Sequence, residues 1–313
     1  MAMNIPMSEI PILRSSPGGI RRAFRAWRHS LLLPWIGLDA FRVVQTTERA
    51  HSLLVTTPSR FYKIGRNPRN TIALEYDQYR LVAASCGELT PHLPAVHYAV
   101  RCGRPVLQMN RIPFSAGDEW TGRHAHAALE LLKRKGRPGT PADWRTFPFL
   151  QAGTLLARSI LDPPRQAKLD RIMQKASARP CRIGPVYGDF HHENLLSVGP
   201  EQFYLIDPTG FMPTGIQSYD ALHFIAYRAW KTSGKGWSFW MDGVDDCQTS
   251  RWQIPGCESI ARDFIDVDLD VAGVFYATCR LGQLSVLLGD KWTMPERQRA
   301  GWAALVDRHP ENG

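Results

Sequence analysis

"YGDFHHENLL", residues 187–196, sets one aspartate, two histidines, a glutamate and an asparagine between apolar "IGPV" and "LLSV". A polar surface turn accounts for such a stretch, and so does an active-site loop. The residues that follow help to separate the two. The chain continues as "LLSVGPEQFYLID": Leu195 to Val198 reads as a short strand, Gly199-Pro200-Glu201 as a turn, and Phe203 to Ile206 as a returning strand. A hairpin brings its ends together, so Asp207 is expected close to Asn194. Asp189, five residues before Asn194, feeds the same edge.

Three oxygen-bearing side chains therefore converge from one short segment. Hard cations such as magnesium take oxygen ligands, commonly one or two carboxylates plus substrate phosphates. Asn194 and Asp207 supply such a pair of ligands, and Asp189 is left to accept a proton from an incoming hydroxyl. Phosphoryl transfer asks for that division: metal on the phosphates, and a carboxylate to orient the nucleophile. A hairpin whose asparagine and aspartates only cap turns is the plainer reading for any one of these residues. The spaced set, flanked by apolar strands, favours the site.

"YGDFHHENLL…YLIDPTG" resembles the catalytic segment of the aminoglycoside phosphotransferase and choline kinase-like family, relatives of the protein kinases. That family carries an H-G-D-x-x-x-x-N loop followed by an I-D dipeptide, and the "IDPTG" wording is nearest its streptomycin and hydroxyurea kinase branch. The resemblance implies an α+β, two-lobed protein kinase-like fold with a small β-rich N-lobe and a larger, mostly helical C-lobe. It also implies ATP and Mg2+ as cofactors, Asp189 as catalytic base, and Asn194 and Asp207 as metal ligands. Tyr187 stands where the family usually has histidine, a loop-supporting position.

The front half is consistent with this. Residues 41–112 read as strands with one helix ("FRVVQTT", "HSLLVTT", "RFYKIG", "VHYAVR", "PVLQMNRI"), punctuated by Pro58, Gly65, Gly87 and Gly103. In "RFYKI" the alternation puts Phe61 and Lys63 on one face, and a lysine beside phenylalanine needs an anionic partner. "NTIALEYDQYRLVAAS" reads as a helix capped by Asn70, with Glu75 on its apolar stripe of Ile72, Tyr79 and Val82. Lys63 and Glu75 answer each other. The resemblance then implies that "VLQMNRIP", residues 106–113, is a hinge whose backbone at Gln108, Met109 and Asn110 binds adenine, and that the turn at 46–52 covers the phosphates. The expected organisation is a basic extension over 1–40, an N-lobe over 41–112 and a C-lobe over 113–313, with helices at 118–136, 165–179, 218–232, 270–288 and 294–307. "GRPGTPADWRTFPF", 136–149, reads as a connector.

Composition sets the outer bounds. The 313 residues, 44% hydrophobic and 21% charged, describe an ordinary globular chain. The longest apolar runs, such as "SLLLPWIGL" at 30–38, fall short of the roughly 18 residues that span a bilayer. No early apolar segment is followed by a small-residue cleavage site, and the six cysteines show no C-x-x-C pair, so a cytoplasmic location is expected. The net charge of +9 is uneven. Arginines at 14, 21, 22, 25 and 28 make the N-terminus basic and amphipathic, suited to its own domain or to peripheral contact with an anionic membrane. Nucleic-acid binding rests on net charge alone and is not expected.

The acceptor is open at this stage. Eight carboxylates over 241–270 face only Arg251 and Arg262, and with Trp230, Trp237, Trp240 and Trp252 they would suit a cationic ligand. Helix caps, solvated turns and core tryptophans explain the same residues. The leading expectation is phosphoryl transfer from nucleotide to a hydroxyl of a small molecule, an antibiotic-like compound, amino sugar or alcohol. The alternatives are a kinase for lipopolysaccharide core sugars and a catalytically silent nucleotide-binding module.

Overall fold

The computed structural model describes residues 45–48, 52–65, 71–113, 120–236, 240–289 and 293–309. The basic N-terminal extension, Asn70, Asp118 and Trp237 lie outside them. The described residues fall into two compact units: those up to Tyr76 with Ala95–Arg111, and Asp77–Pro94 with everything from Ile112.

In the first unit, strands β1 (Gln45–Glu48), β2 (Ser52–Thr56) and β3 (Arg60–Gly65) lead into helix α1 (Thr71–Ser85), whose second half belongs to the other unit. Strands β4 (Val96–Arg101) and β5 (Arg104–Asn110) complete an antiparallel sheet in the order β1-β2-β3-β5-β4. Cross-strand register sorts the faces. Leu53 pairs with Ile64, and Ile64 with Val106, building an apolar cluster with Val55 on one face. Lys63 sits on the other face between Leu54 and Leu107. Tyr76 of α1 stacks on Tyr98 of β4 at 5.7 Å, and Tyr98 pairs with Leu107, so the helix covers the lysine face.

The second unit is mostly helical. Helix α2 (Thr121–Lys133) is followed by β6 (Arg137–Pro138), α3 (Pro141–Thr146), α4 (Pro148–Ile160) and α5 (Pro163–Ser177). Strands β7 (Arg182–Val186), β8 (Leu195–Ser197), β9 (Phe203–Leu205) and β10 (Met212–Ile216) carry the loops of interest. Then come α6 (Ser218–Thr232), α7 (Trp240–Thr249), α8 (Glu258–Phe264), α9 (Leu269–Leu288) and α10 (Glu296–Arg308). β10, β7 and β6 form one small antiparallel sheet, and β8 and β9 form the expected hairpin. The segment read as a connector contains one helix, α3, and the start of a second, α4. Each begins with proline, Pro141 and Pro148, at a position where its missing N–H costs nothing. Thr140 and Asp143 add a reciprocal capping box at the start of α3. α2 begins past the segment holding Asp118, with no side-chain cap from Trp120.

α6 is buried on nearly every side, its polar Ser218, Asp220 and His223 included. α4 and α9 cross at glycine: a Cβ at Gly153 would fall inside contact distance of the Thr278 carbonyl, and one at Gly282 would meet the Phe149 carbonyl. No helix among the described residues is long and apolar enough to cross a membrane. Because the Gly153 neighbour is backbone and cannot swing aside, Gly153→Ala is expected to cost about 3 kcal/mol of unfolding free energy, measured by denaturant titration.

Candidate functional site

The loop between β7 and β8 is fixed from beneath. Asp220, in the first turn of α6 and 1% exposed, accepts the backbone N–H of Tyr187 at 2.6 Å and that of Gly188 at 2.8 Å, one on each carboxylate oxygen. Gly188 has φ 86°, and a Cβ there would collide with the Gly210 carbonyl, so the position needs glycine. Tyr187 is fully buried, and its hydroxyl donates to the Ile206 carbonyl at 3.0 Å, tying the loop to the strand that precedes Asp207. The residue at the position that the resemblance gives to histidine thus holds the loop through a tyrosine hydroxyl.

The hairpin joins its ends as expected. Leu195 pairs with Leu205, and the Ile206 N–H donates to the Asn194 carbonyl at 2.9 Å. Asp207 follows directly in the left-handed region, φ 55°, which aspartate tolerates better than most residues. Its N–H donates to the Tyr79 hydroxyl at 2.9 Å, and one carboxylate oxygen accepts the Thr209 hydroxyl. Asn194 is buried and turns its amide N–H toward Asp189, 2.9 Å from the carbonyl and 3.2 Å from Oδ2. That contact leaves the Asn194 amide oxygen free of Asp189, as a metal ligand requires. Asn194 and Asp207 offer only hard oxygen donors, a set that fits magnesium completed by phosphate oxygens and water. Among the described residues no group of three or more His, Cys, Asp or Glu side chains is placed to hold a metal.

Asp189 is contacted from several sides. Arg280 Nη1 lies 3.1 Å and His223 Nε2 3.2 Å from its Oδ1, and His191 Nε2 lies 3.4 Å from Oδ2. Burial opposes its ionisation, but Arg280 and the two histidines outweigh that and hold the carboxyl well below the usual range. His191 stacks on Tyr227 at 4.0 Å, and its Nδ1 accepts the Glu193 N–H at 3.2 Å. Asp220, Arg280 and His223 went unmarked in the sequence. Their only signal is polar residues at helical spacing inside "SYDALHFIAY" and "YATCRLGQ", segments otherwise apolar.

In the first unit, Lys63 Nζ and Glu75 Oε2 form an ion pair at 2.6 Å, with the glutamate side chain 5% exposed. Ile72, Glu75, Tyr79 and Val82 are all buried, the stripe read from the sequence. Gln108 and Met109 lie where β5 is flanked on both sides. The β4 ladder ends at the Val96–Met109 pair, so of the three expected hinge residues only Asn110 runs past it. Of the expected phosphate-covering turn, 46–48 belong to β1, Ser52 begins β2, and 49–51 lie outside the described residues. Trp230, Trp240 and Trp252 are buried in the helical core rather than lining an open wall.

No protein-family model matches the sequence, and neither does any curated protein. Among solved structures, the choline kinase LicA from Streptococcus pneumoniae aligns over 92% of this chain and 98% of its own, with a TM-score of 0.50 and 9% identity. A putative fructosamine-3-kinase from Haemophilus somnus 129PT aligns over 90% and 96%, with a TM-score of 0.47 and 13% identity. The streptomycin–ATP ternary complex of APH(2")-IIa aligns over 90% and 95%, with a TM-score of 0.47 and 14% identity. The LicA likeness is one of fold: the α+β, kinase-like architecture expected from the catalytic-segment resemblance is the one the chain has.

Two outcomes follow from the loop's anchors. Burial, seconded by the Asp189 charge, pushes the Asp220 carboxyl up to about 7 against the pull of its two N–H donors. The folded chain therefore keeps a proton that the unfolded chain, with an ordinary aspartate, loses near pH 4. The stability this contributes is complete below that pH and is lost as pH rises through about 7. Asp220→Asn, which offers an amide N–H to a backbone N–H, should cost roughly 1–3 kcal/mol. The gap between wild type and variant should narrow from pH 4 to 7, by at most about 1.4 kcal/mol per pH unit, in urea titrations. Tyr187→Phe should cost about 1 kcal/mol by the same measurement, because it strips a hydrogen bond from the Ile206 carbonyl.

Proposed function

We propose that this chain is an ATP- and magnesium-dependent phosphotransferase that moves a phosphoryl group from nucleotide to a hydroxyl of a small molecule. The observation that carries the reading is the setting of Asp189: an ionised carboxylate in a rigid loop, bonded to Asn194, one hairpin away from Asp207. The kinase-like fold supports it, as does the Lys63–Glu75 pair in the first unit.

Each residue then has a part. Asp189 orients the acceptor hydroxyl and takes its proton as the oxygen bonds to the γ-phosphorus and the bond to the β–γ bridging oxygen breaks, releasing ADP. Asn194 and Asp207 would hold magnesium, which when bound neutralises phosphate charge. Lys63, kept in place by Glu75, meets the phosphates, and the adenine edge is met by the backbone from Asn110 onward, past the end of the β4 ladder. A carboxylate held so far below its ordinary range is a weak base. It accepts the proton late, which suits a loose transition state in which positioning and charge stabilisation outweigh proton abstraction.

The acceptor we favour is an amino alcohol, amino sugar or antibiotic-like compound. The solved structure whose likeness in fold supports this is a choline kinase. The test is transfer of labelled phosphate from ATP to a panel of choline, aminopropanol, fructosamines, aminoglycosides and spectinomycin. Turnover on at least one acceptor should vanish with a chelator and return with magnesium. It should fall at least about 100-fold in Asp189→Asn. Equal rates for wild type and Asp189→Asn on every acceptor would remove Asp189 from the reaction.

A further inference from the structure

Two helices aim a row of buried polar side chains at Asp189, and the reaction above leaves most of them without a part. On α9, Tyr276, Arg280 and Gln283 recur at i, i+4 and i+7; on α6, Tyr219 and His223 are four apart. All five are buried. Arg280 donates to Asp189 Oδ1 at 3.1 Å and also to Gln283 Oε1. The Gln283 amide accepts from the Tyr219 hydroxyl at 2.7 Å and donates to the Gly188 carbonyl at 3.0 Å. His223 Nε2 reaches the same Oδ1 at 3.2 Å, and its Nδ1 lies 2.7 Å from the Tyr276 hydroxyl.

The network fixes its own protons. An ionised carboxylate can only accept, so His223 Nε2 carries the hydrogen. Burial, with Arg280 acting in the same direction, keeps His223 neutral down to about pH 3, which leaves Nδ1 to accept from Tyr276. Oδ1 thus holds two N–H donors fixed by two different helices. Oδ2 has Asn194 at 3.2 Å and the more distant His191 at 3.4 Å, both from the same loop as Asp189 itself. Stability alone does not ask for this arrangement, since apolar residues of like volume commonly serve as well as a buried ion pair.

We infer that Arg280, with His223 beside it, is a positioning residue for the transfer: the pair occupies Asp189 Oδ1 and so presents Oδ2 as the oxygen that receives the acceptor hydroxyl. This rests on the phosphotransferase reading. Without Arg280 the Oδ1 side is held by His223 alone, and the hydroxyl meets a less firmly placed partner.

The test compares Arg280→Gln, Arg280→Lys and the milder Tyr276→Phe with wild type, each checked for melting temperature and for ATP affinity. Arg280→Gln should lower kcat on the order of 100-fold with little change in acceptor KM or nucleotide Kd. Arg280→Lys should restore part of that loss. Tyr276→Phe, which frees the Nδ1 face of His223, should lower kcat less than Arg280→Gln. A rise in KM at unchanged kcat, or losses of activity that merely follow melting temperature, would overturn the inference. If wild type transfers phosphate to no acceptor, the reaction reading fails separately. The clamp is then decided by 15N–1H NMR: a slowly exchanging His223 Nε2–H resonance in wild type, shifted in Arg280→Gln, supports it, and its absence in wild type overturns it.

Discussion

A single buried carboxylate holds the backbone of the candidate site in place. Asp220 grips two successive N–H groups of the loop, and through them everything downstream acquires its direction. Tyr187 reaches from the gripped segment to Ile206, and Gly188 packs without a side chain against Gly210, so the Asp189 loop and the Asp207 segment behave as one piece. The cost of burying that charge is offset only in part by the two donors, which is why its carboxyl titrates so high. Backbone order is obtained here at the expense of an uncomfortable charge. Such a trade is expected where position matters more than stability.

Asp189 and Asp220 show how environment sorts like residues. Both are aspartates in the same region, Asp220 fully buried and Asp189 partly exposed, and desolvation raises both. Asp220 meets neutral backbone donors and is left high, whereas Asp189 meets Arg280 and is brought far down. A guanidinium charge seconded by the His191 and His223 donors outweighs desolvation where two peptide dipoles do not. Under the proposed reaction the consequence is functional: the group assigned to the acceptor hydroxyl stays ionised, and the group that holds the loop need not.

What the sequence revealed follows the range of the interactions involved. The 195–207 hairpin, the Glu75 stripe and the long helices α5, α6, α9 and α10 are written in local period and turn chemistry, and they stand where the reading put them. α3 and α4 were hidden because proline was read as a breaker when it stood at first helical positions. Asp220, His223 and Arg280 were hidden for another reason. They lie 31, 34 and 91 residues from Asp189, and no local pattern links them to it. Only a polar residue recurring every turn of an otherwise buried helix hints that something polar waits opposite.

The acidic stretch over 241–270 bears on what the acceptor can be. Its carboxylates are largely engaged within the chain. Asp242 meets Lys235 at 3.0 Å and Arg297 at 2.9 Å, Asp263 meets Arg262 and His126, and Asp245 pairs with Arg308. Asp266 accepts from Ser218 and the Arg182 N–H, while Asp268 caps α9 and pairs with Arg179. A carboxylate already satisfied by an arginine offers little to a cationic ligand, since binding would first have to break that pair. The aromatic candidates Trp240 and Trp252 are core. Affinity for a positively charged acceptor would then have to come from residues nearer Asp189, where Glu193 is half exposed but already bonded to Lys231 and Tyr227. Under the proposed reaction, selection by shape and by the hydroxyl offered to Asp189 fits this surface better than selection by a field of negative charge.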